Sequence, residues 1–296
     1  MNKNFCGLSA ALLTPFNDRN EIDHGQLRRL VRFLTRQGID GFYVGGSTGE
    51  AFLLSPKERK AILETVLDEN GGRKTVTAHV GHISTEYACD LAVHARKAGA
   101  DAVSAITPFY YPFTGEEIKG YYGAIMECAG LPMVIYNFPA YSGVGLTNSM
   151  IAEIRNMGNV AGVKFTGNDF YQLERMKAEN PDLFVWNGLD EMLLSGLAAG
   201  ADGGVGSTYN CMLPLIRGVY ENYHAGDIEK AQAYQSKVNS VIHVISRYGV
   251  LASEKELMRL WGIDCGFCRL PFMPVSEKGK CELAQAYSLY IEGEDK

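Results

Sequence analysis

Nowhere does the chain reach the roughly 18 unbroken apolar residues that a membrane span requires. Its first ten residues carry no apolar stretch of signal-peptide length behind Lys3. Both absences predict a soluble, cytoplasmic protein with no membrane partner. An excess of positive charge is missing too. The 28 Lys and Arg against 34 Asp and Glu give a net charge of −6, which leaves no electrostatic case for nucleic acid, so none is expected as a partner. Any anion must then be held by local hydroxyls, backbone N–H groups or a single cation. The seven cysteines are an odd number, scattered at 6, 89, 128, 211, 265, 268 and 281, and form no disulfide framework. Free thiols fit a reducing compartment. Cys265 and Cys268 make a C-x-x-C, but no second pair completes the four ligands of a structural zinc, so the motif reads as incidental.

What the chain does have is alternation. Eight short apolar runs, at residues 8–13, 42–44, 75–80, 102–106, 133–136, 160–165, 183–186 and 203–205, are separated by amphipathic helical segments. Several runs are apolar throughout, as strands buried on both faces must be. Helix punctuation sits between them. Asp23, Ser84 and Thr147 are candidate caps, and Ser55 with Glu58, Thr114 with Glu117 and Ser253 with Glu256 have capping-box spacing. A Gly-x-Asp joint recurs at Gly38–Asp40, Gly99–Asp101 and Gly200–Asp202, each time between a helix and a strand. This pattern predicts an α/β fold of the (β/α)₈ TIM-barrel type over residues 1–225. The helical remainder, 226–296, is expected as an appendage packed on the barrel. The segment after the first run, Leu13-Thr14-Pro15-Phe16, lacks the glycine-rich turn that a doubly wound nucleotide-binding sheet carries there.

Catalytic groups of such a barrel lie at the C-terminal ends of the strands. That rule selects Lys164, embedded in the apolar strand 160–166. Burial disfavours the ammonium form, and a neutral amine attacks carbonyls to give imines. Tyr136 ends the neighbouring strand, where a phenol can relay a proton. Gly45-Gly46-Ser47-Thr48-Gly49 offers close backbone N–H groups and two hydroxyls, a cradle for a carboxylate or phosphate. It lacks the lysine of a P-loop. Asp190 and Glu191 are adjacent, unlike the facing pair of a glycosidase, and suit hydrogen bonding to a polyol. His79 and His82 would share a metal only if the second lay in the loop, because residues three apart on a strand face opposite sides.

Gly45-Gly-Ser-Thr-Gly-Glu50, Tyr136-Asn-Phe-Pro139 and Val163-Lys-Phe-Thr166, in this order and spacing, closely resemble the signatures of the dihydrodipicolinate synthase / N-acetylneuraminate lyase family. The resemblance runs the whole chain. It implies a homotetrameric barrel without metal or organic cofactor. It makes Lys164 the Schiff-base lysine and Tyr136 the proton-transfer tyrosine. Ser47 and Thr48 match the hydroxyls that hold the substrate carboxylate, and Thr166 the threonine that helps select sugars. Gly188, Asp190, Glu191 and Ser207 match positions that bind the polyol tail. Tyr110 resembles the tyrosine lent to a neighbouring subunit, although Tyr111 is equally available. The synthase branch carries an arginine two residues after the proline of the Tyr-Asn-x-Pro motif, and here that position is Tyr141. Losing a bidentate anion site favours the lyase branch. The expected reaction is therefore class I aldol cleavage of sialic acid (N-acetylneuraminate) to pyruvate and N-acetylmannosamine. The alternatives within the family are cleavage of a 2-keto-3-deoxy sugar acid and a synthase-like condensation. A catalytically silent sensor would be expected to lack the lysine or the tyrosine.

Overall fold

The apolar runs become eight parallel strands because each is buried on both faces, one toward the barrel axis and one toward a surrounding helix. The computed structural model describes residues 5–294. Its strands are β1 (Gly7–Ala11), β2 (Gly41–Val44), β3 (Thr75–His79), β4 (Ala102–Ile106), β5 (Met133–Asn137), β6 (Val160–Phe165), β7 (Phe184–Asn187) and β8 (Gly203–Gly206). They close in sequence order, with β8 pairing back on β1. The register sets Lys164 between Tyr136 on β5 and Trp186 on β7.

The outer ring comprises α1 (His24–Arg36), α2 (Pro56–Asn70), α3 (Thr85–Ala98), α4 (Gly115–Ala129), the short α5 (Pro139–Ser142), α6 (Asn148–Met157), α7 (Phe170–Glu179), α8 (Leu193–Ala198) and α9 (Tyr209–His224). Then follow α10 (Ile228–Tyr248), α11 (Val250–Leu260) and α12 (Glu277–Ala286). The capping boxes at Ser55 and Thr114 form as expected, with reciprocal side-chain and backbone bonds. Asp23 and Thr147 also cap with their side chains, whereas Ser84 holds the cap position without a side-chain bond. The proposed box at Ser253 does not form. That serine lies inside α11, fully buried, and donates to the Ile245 carbonyl, while Gly249 begins the helix. The serine at capping spacing is instead buried against α10, and Glu256 pairs with Arg259 one turn on.

Two apolar layers result. Leu27, Leu30, Val31 and Leu34 of α1 exemplify the layer between helices and sheet. Inside the barrel sit Ala11, Tyr43, Ala102, Ile106, Val134, Tyr136, Trp186 and Val205. At the N-terminal end Phe5 closes the barrel. Its carbonyl accepts from Trp186 Nε1 at 2.8 Å, and its ring stacks on Phe184. The opposite end stays open, and that is where the polar side chains of the strand ends collect. Among the described residues no helix is long and apolar enough to cross a membrane.

Candidate active site

Strand direction and register bring the predicted residues to one place. Ser47, Thr48, Tyr136, Lys164, Thr166, Gly188, Asp190, Glu191 and Ser207 all line a single cavity of about 460 Å³ at the C-terminal mouth. Tyr110 does not. It lies in the loop after β4, 84% exposed and at φ +78°, with its ring edge-on to Tyr111. Tyr141 lines the cavity and packs its ring on Phe138 at 4.2 Å.

Lys164 projects between two aromatic rings. Its Nζ lies 4.2 Å from the Tyr136 ring centroid and 4.5 Å from that of Tyr43. Burial drives the amine down from its usual range to about 7, and the nearby Asp190 carboxylate opposes this only weakly. A substantial share of the amine is therefore neutral at physiological pH. Burial acts oppositely on Tyr136 and pushes its phenol well above the ordinary range, against the pull of the adjacent Ser47 and Thr166 hydroxyls. The resting phenol is protonated and serves as a relay, not as a standing base.

The cradle loop is held from both sides. Both ring nitrogens of His79 serve backbone, Nδ1 bonding the Gly45 carbonyl at 3.0 Å and Nε2 accepting from Ile106 N at 3.3 Å. His82 Nδ1 accepts from Ser84 N. These histidines shape the loops behind the cavity. At the far end of the cradle Glu50 sits at φ +59°, its carboxylate buried. It accepts from Lys255 Nζ of α11 at 2.8 Å and from Arg269 N at 2.8 Å. The Arg269 guanidinium continues to Glu58 and holds its carboxyl down at about 2. Tail and cradle are thus joined by buried charge. Breaking such a pair costs about 3–5 kcal/mol because the survivor is stranded without solvent. Lys255→Met is expected to lose that much in denaturant unfolding. A loss under about 1 kcal/mol would show that the pair contributes little to stability.

The side of the cavity that carries Thr166 and Asp190 is built around two glycines. A side chain at Gly188 would meet Thr166 Oγ1 at 1.9 Å, so glycine is what lets that hydroxyl lie there. A side chain at Gly206 would meet Asp190 Oδ1 at the same distance. Asp190 Oδ2 accepts from Thr208 Oγ1 at 2.6 Å and Thr208 N at 3.0 Å. Its other oxygen, Oδ1, is buried without a hydrogen-bond partner. Native proteins rarely tolerate such atoms unless a ligand or water completes them. Burial lifts the Asp190 carboxyl to about 6.

Sequence reasoning missed the wall. Ile242, Ile245 and Ser246 of α10, Val250 and Leu251 of α11, and Phe272 form one side of the cavity. Helical periodicity marks such residues as facing something but does not say what they face. It also missed Thr208 and Glu254, which bond Asp190 and Ser207 from behind. The thiols of Cys265 and Cys268 are pushed up to about 12 by burial.

A closed β/α barrel with a buried, partly neutral lysine and an adjacent phenol at its mouth is the equipment of an imine-forming lyase. The chain belongs to the dihydrodipicolinate synthetase family, whose profile matches residues 4–289. It is 48% identical over 285 residues to the N-acetylneuraminate lyase of Citrobacter koseri, covering 96% of each chain. Among solved structures it resembles CdNal of Clostridium difficile, determined in complex with mannosamine, with a TM-score of 0.94 at 35% identity over 97% of this chain and 99% of that one. A catalytic-lysine mutant of the sialic acid aldolase of Ruminococcus gnavus matches with a TM-score of 0.92 at 28% identity over 97% of this chain and 98% of that one.

Proposed function

We propose that the protein is a class I aldolase that cleaves N-acetylneuraminate to pyruvate and N-acetylmannosamine. The observation that carries this is the Lys164 amine, held at about 7 between two tyrosine rings at a cavity also lined by Asp190, one of whose carboxylate oxygens has no partner. The names of the relatives support the same substrate.

Neutral Lys164 attacks the C2 ketone of the open-chain sugar acid, and the carbinolamine, taking up one proton from solvent, loses water to form a protonated imine. Ser47 and Thr48 hold the adjacent carboxylate. The C3–C4 bond then breaks and its electron pair flows into the imine, leaving an enamine. The C4 hydroxyl becomes the aldehyde of N-acetylmannosamine, and its proton passes through Tyr136 to C3. Hydrolysis of the resulting imine releases pyruvate and restores the amine. Thr166, Gly188, Asp190, Glu191 and Ser207 receive the polyol. The chain works as a cytoplasmic homotetramer, in which exposed Tyr110 is offered to a neighbouring subunit.

Borohydride reduction in the presence of pyruvate, followed by mass mapping, tests the imine. A pyruvate adduct is expected on Lys164 and absent from Lys164→Arg, whose guanidinium is not nucleophilic at neutral pH. Adduct on another lysine, or a higher kcat/KM for a 2-keto-3-deoxy sugar acid, would reassign the nucleophile or the substrate. Turnover is expected to survive chelator.

The pH profile follows from the same amine. Attack needs the neutral form, so kcat/KM should fall about tenfold per unit as pH drops below about 7. The Asp190 carboxylate favours the ammonium form, so Asp190→Asn should move this acid limb to lower pH. A limb that moved upward would contradict the assigned coupling.

A further inference from the structure

Behind the polyol side of the cavity stands a carboxyl group that the reaction does not use. Glu254, on α11, is fully buried. Its Oε1 accepts from Ser207 Oγ at 2.5 Å, and its Oε2 has no partner. Ser207 itself lines the cavity, whereas Glu254 does not. A serine hydroxyl has one proton to donate and two lone pairs. While it donates to Glu254 it can only accept from whatever enters the cavity. A buried acid without a counterion is an expensive way to close a helix against a barrel. An apolar residue would fill the same space without leaving an oxygen stranded.

We propose that Glu254 is a positioning residue for specificity. By taking the Ser207 O–H it fixes that hydroxyl as an acceptor facing the cavity, and so selects a substrate whose tail presents a hydroxyl donor at that point. The proposal rests on the polyol-binding reading of the cavity given above. Its neighbour Asp190 adds to the effect. That carboxyl is engaged on one oxygen by Thr208, and its other oxygen is buried without a partner, so it too can only accept. The two groups together make this corner a double acceptor suited to a polyol and hostile to a carboxylate. Burial and the charge of Asp190 raise Glu254 to about 8. A proton carried on its free Oε2 leaves Oε1 available to Ser207, so the arrangement does not require an ionised glutamate.

The test compares Glu254→Leu and Glu254→Gln with wild type, using N-acetylneuraminate for turnover and pyruvate alone for borohydride trapping. Leucine removes the acceptor, and KM for the sugar acid should rise about tenfold, the worth of roughly one hydrogen bond. The value of kcat should stay within about twofold. Glutamine retains a carbonyl oxygen for Ser207 and should restore most of the affinity. Pyruvate has no tail, so trapping on Lys164 should be equal in all three proteins. Combining Ser207→Ala with Glu254→Leu should be no worse than Ser207→Ala alone, because both remove the same interaction. An unchanged KM in Glu254→Leu, an equal loss of pyruvate trapping, failure of glutamine to rescue, or additivity with Ser207→Ala would each overturn the proposal. Wild type that traps pyruvate but does not turn over N-acetylneuraminate would instead overturn the substrate reading.

Discussion

Lys164→Met should abolish turnover, with a loss of at least ~10⁴-fold, while leaving the fold intact. Methionine fills nearly the same volume and removes only the nitrogen. A buried amine that carries no ion pair contributes little to stability, so its removal relieves desolvation instead of stranding a partner. Unfolding midpoints should therefore stay level or rise. The Tyr43 and Tyr136 rings that flank the nitrogen at 4.5 and 4.2 Å lose nothing they need for packing. Activity that persisted above background in purified Lys164→Met would place the imine elsewhere.

Tyr136→Phe should separate bond making from bond breaking. The ring, its edge contact with Tyr43 at 6.0 Å and its stacking on Phe138 remain, and only the oxygen goes. Pyruvate trapping on Lys164 should persist, since the amine still attacks. Cleavage should fall roughly 10²–10⁴-fold in kcat, the usual worth of a positioned proton relay. Single-turnover kinetics would show imine accumulating ahead of a slow C3–C4 scission. Equal loss of trapping and cleavage would instead make the phenol a structural support of the lysine.

The barrel was legible because its strands are buried on both faces and therefore apolar without alternation. Val160–Phe165 and Ala102–Ile106 needed no tertiary information to be recognised, and both match the observed bounds. Lys164 was legible for the complementary reason that a lysine is rarely buried in such a run without a role, and the neighbouring tyrosine of the next strand outweighed the reading of a snorkelling or ion-paired side chain. The ends of elements were less so. Leu12 and Leu13 extend the first apolar run beyond β1 because they are buried after the strand has ended. Glu254 was illegible in principle. Its partner Ser207 lies 47 residues away in the chain, and its own neighbourhood reads as the start of a helix. The glycines at 188 and 206 show the same limit. The space that each must leave empty is defined by Thr166 and Asp190, side chains of other segments.

The wall supplied by α10, α11 and Phe272 divides labour in the molecule. Lys164 and Tyr136 ride on strand ends locked in the closed sheet, whereas one wall of the cavity is carried by the tail. Drift at Ile242, Val250, Leu251 or Phe272 can therefore re-tailor which sugar acids are accepted without displacing the nucleophile. A library confined to those four positions should yield altered preferences among sugar acids while every member still captures pyruvate, an arrangement in which fit and chemistry can be altered separately.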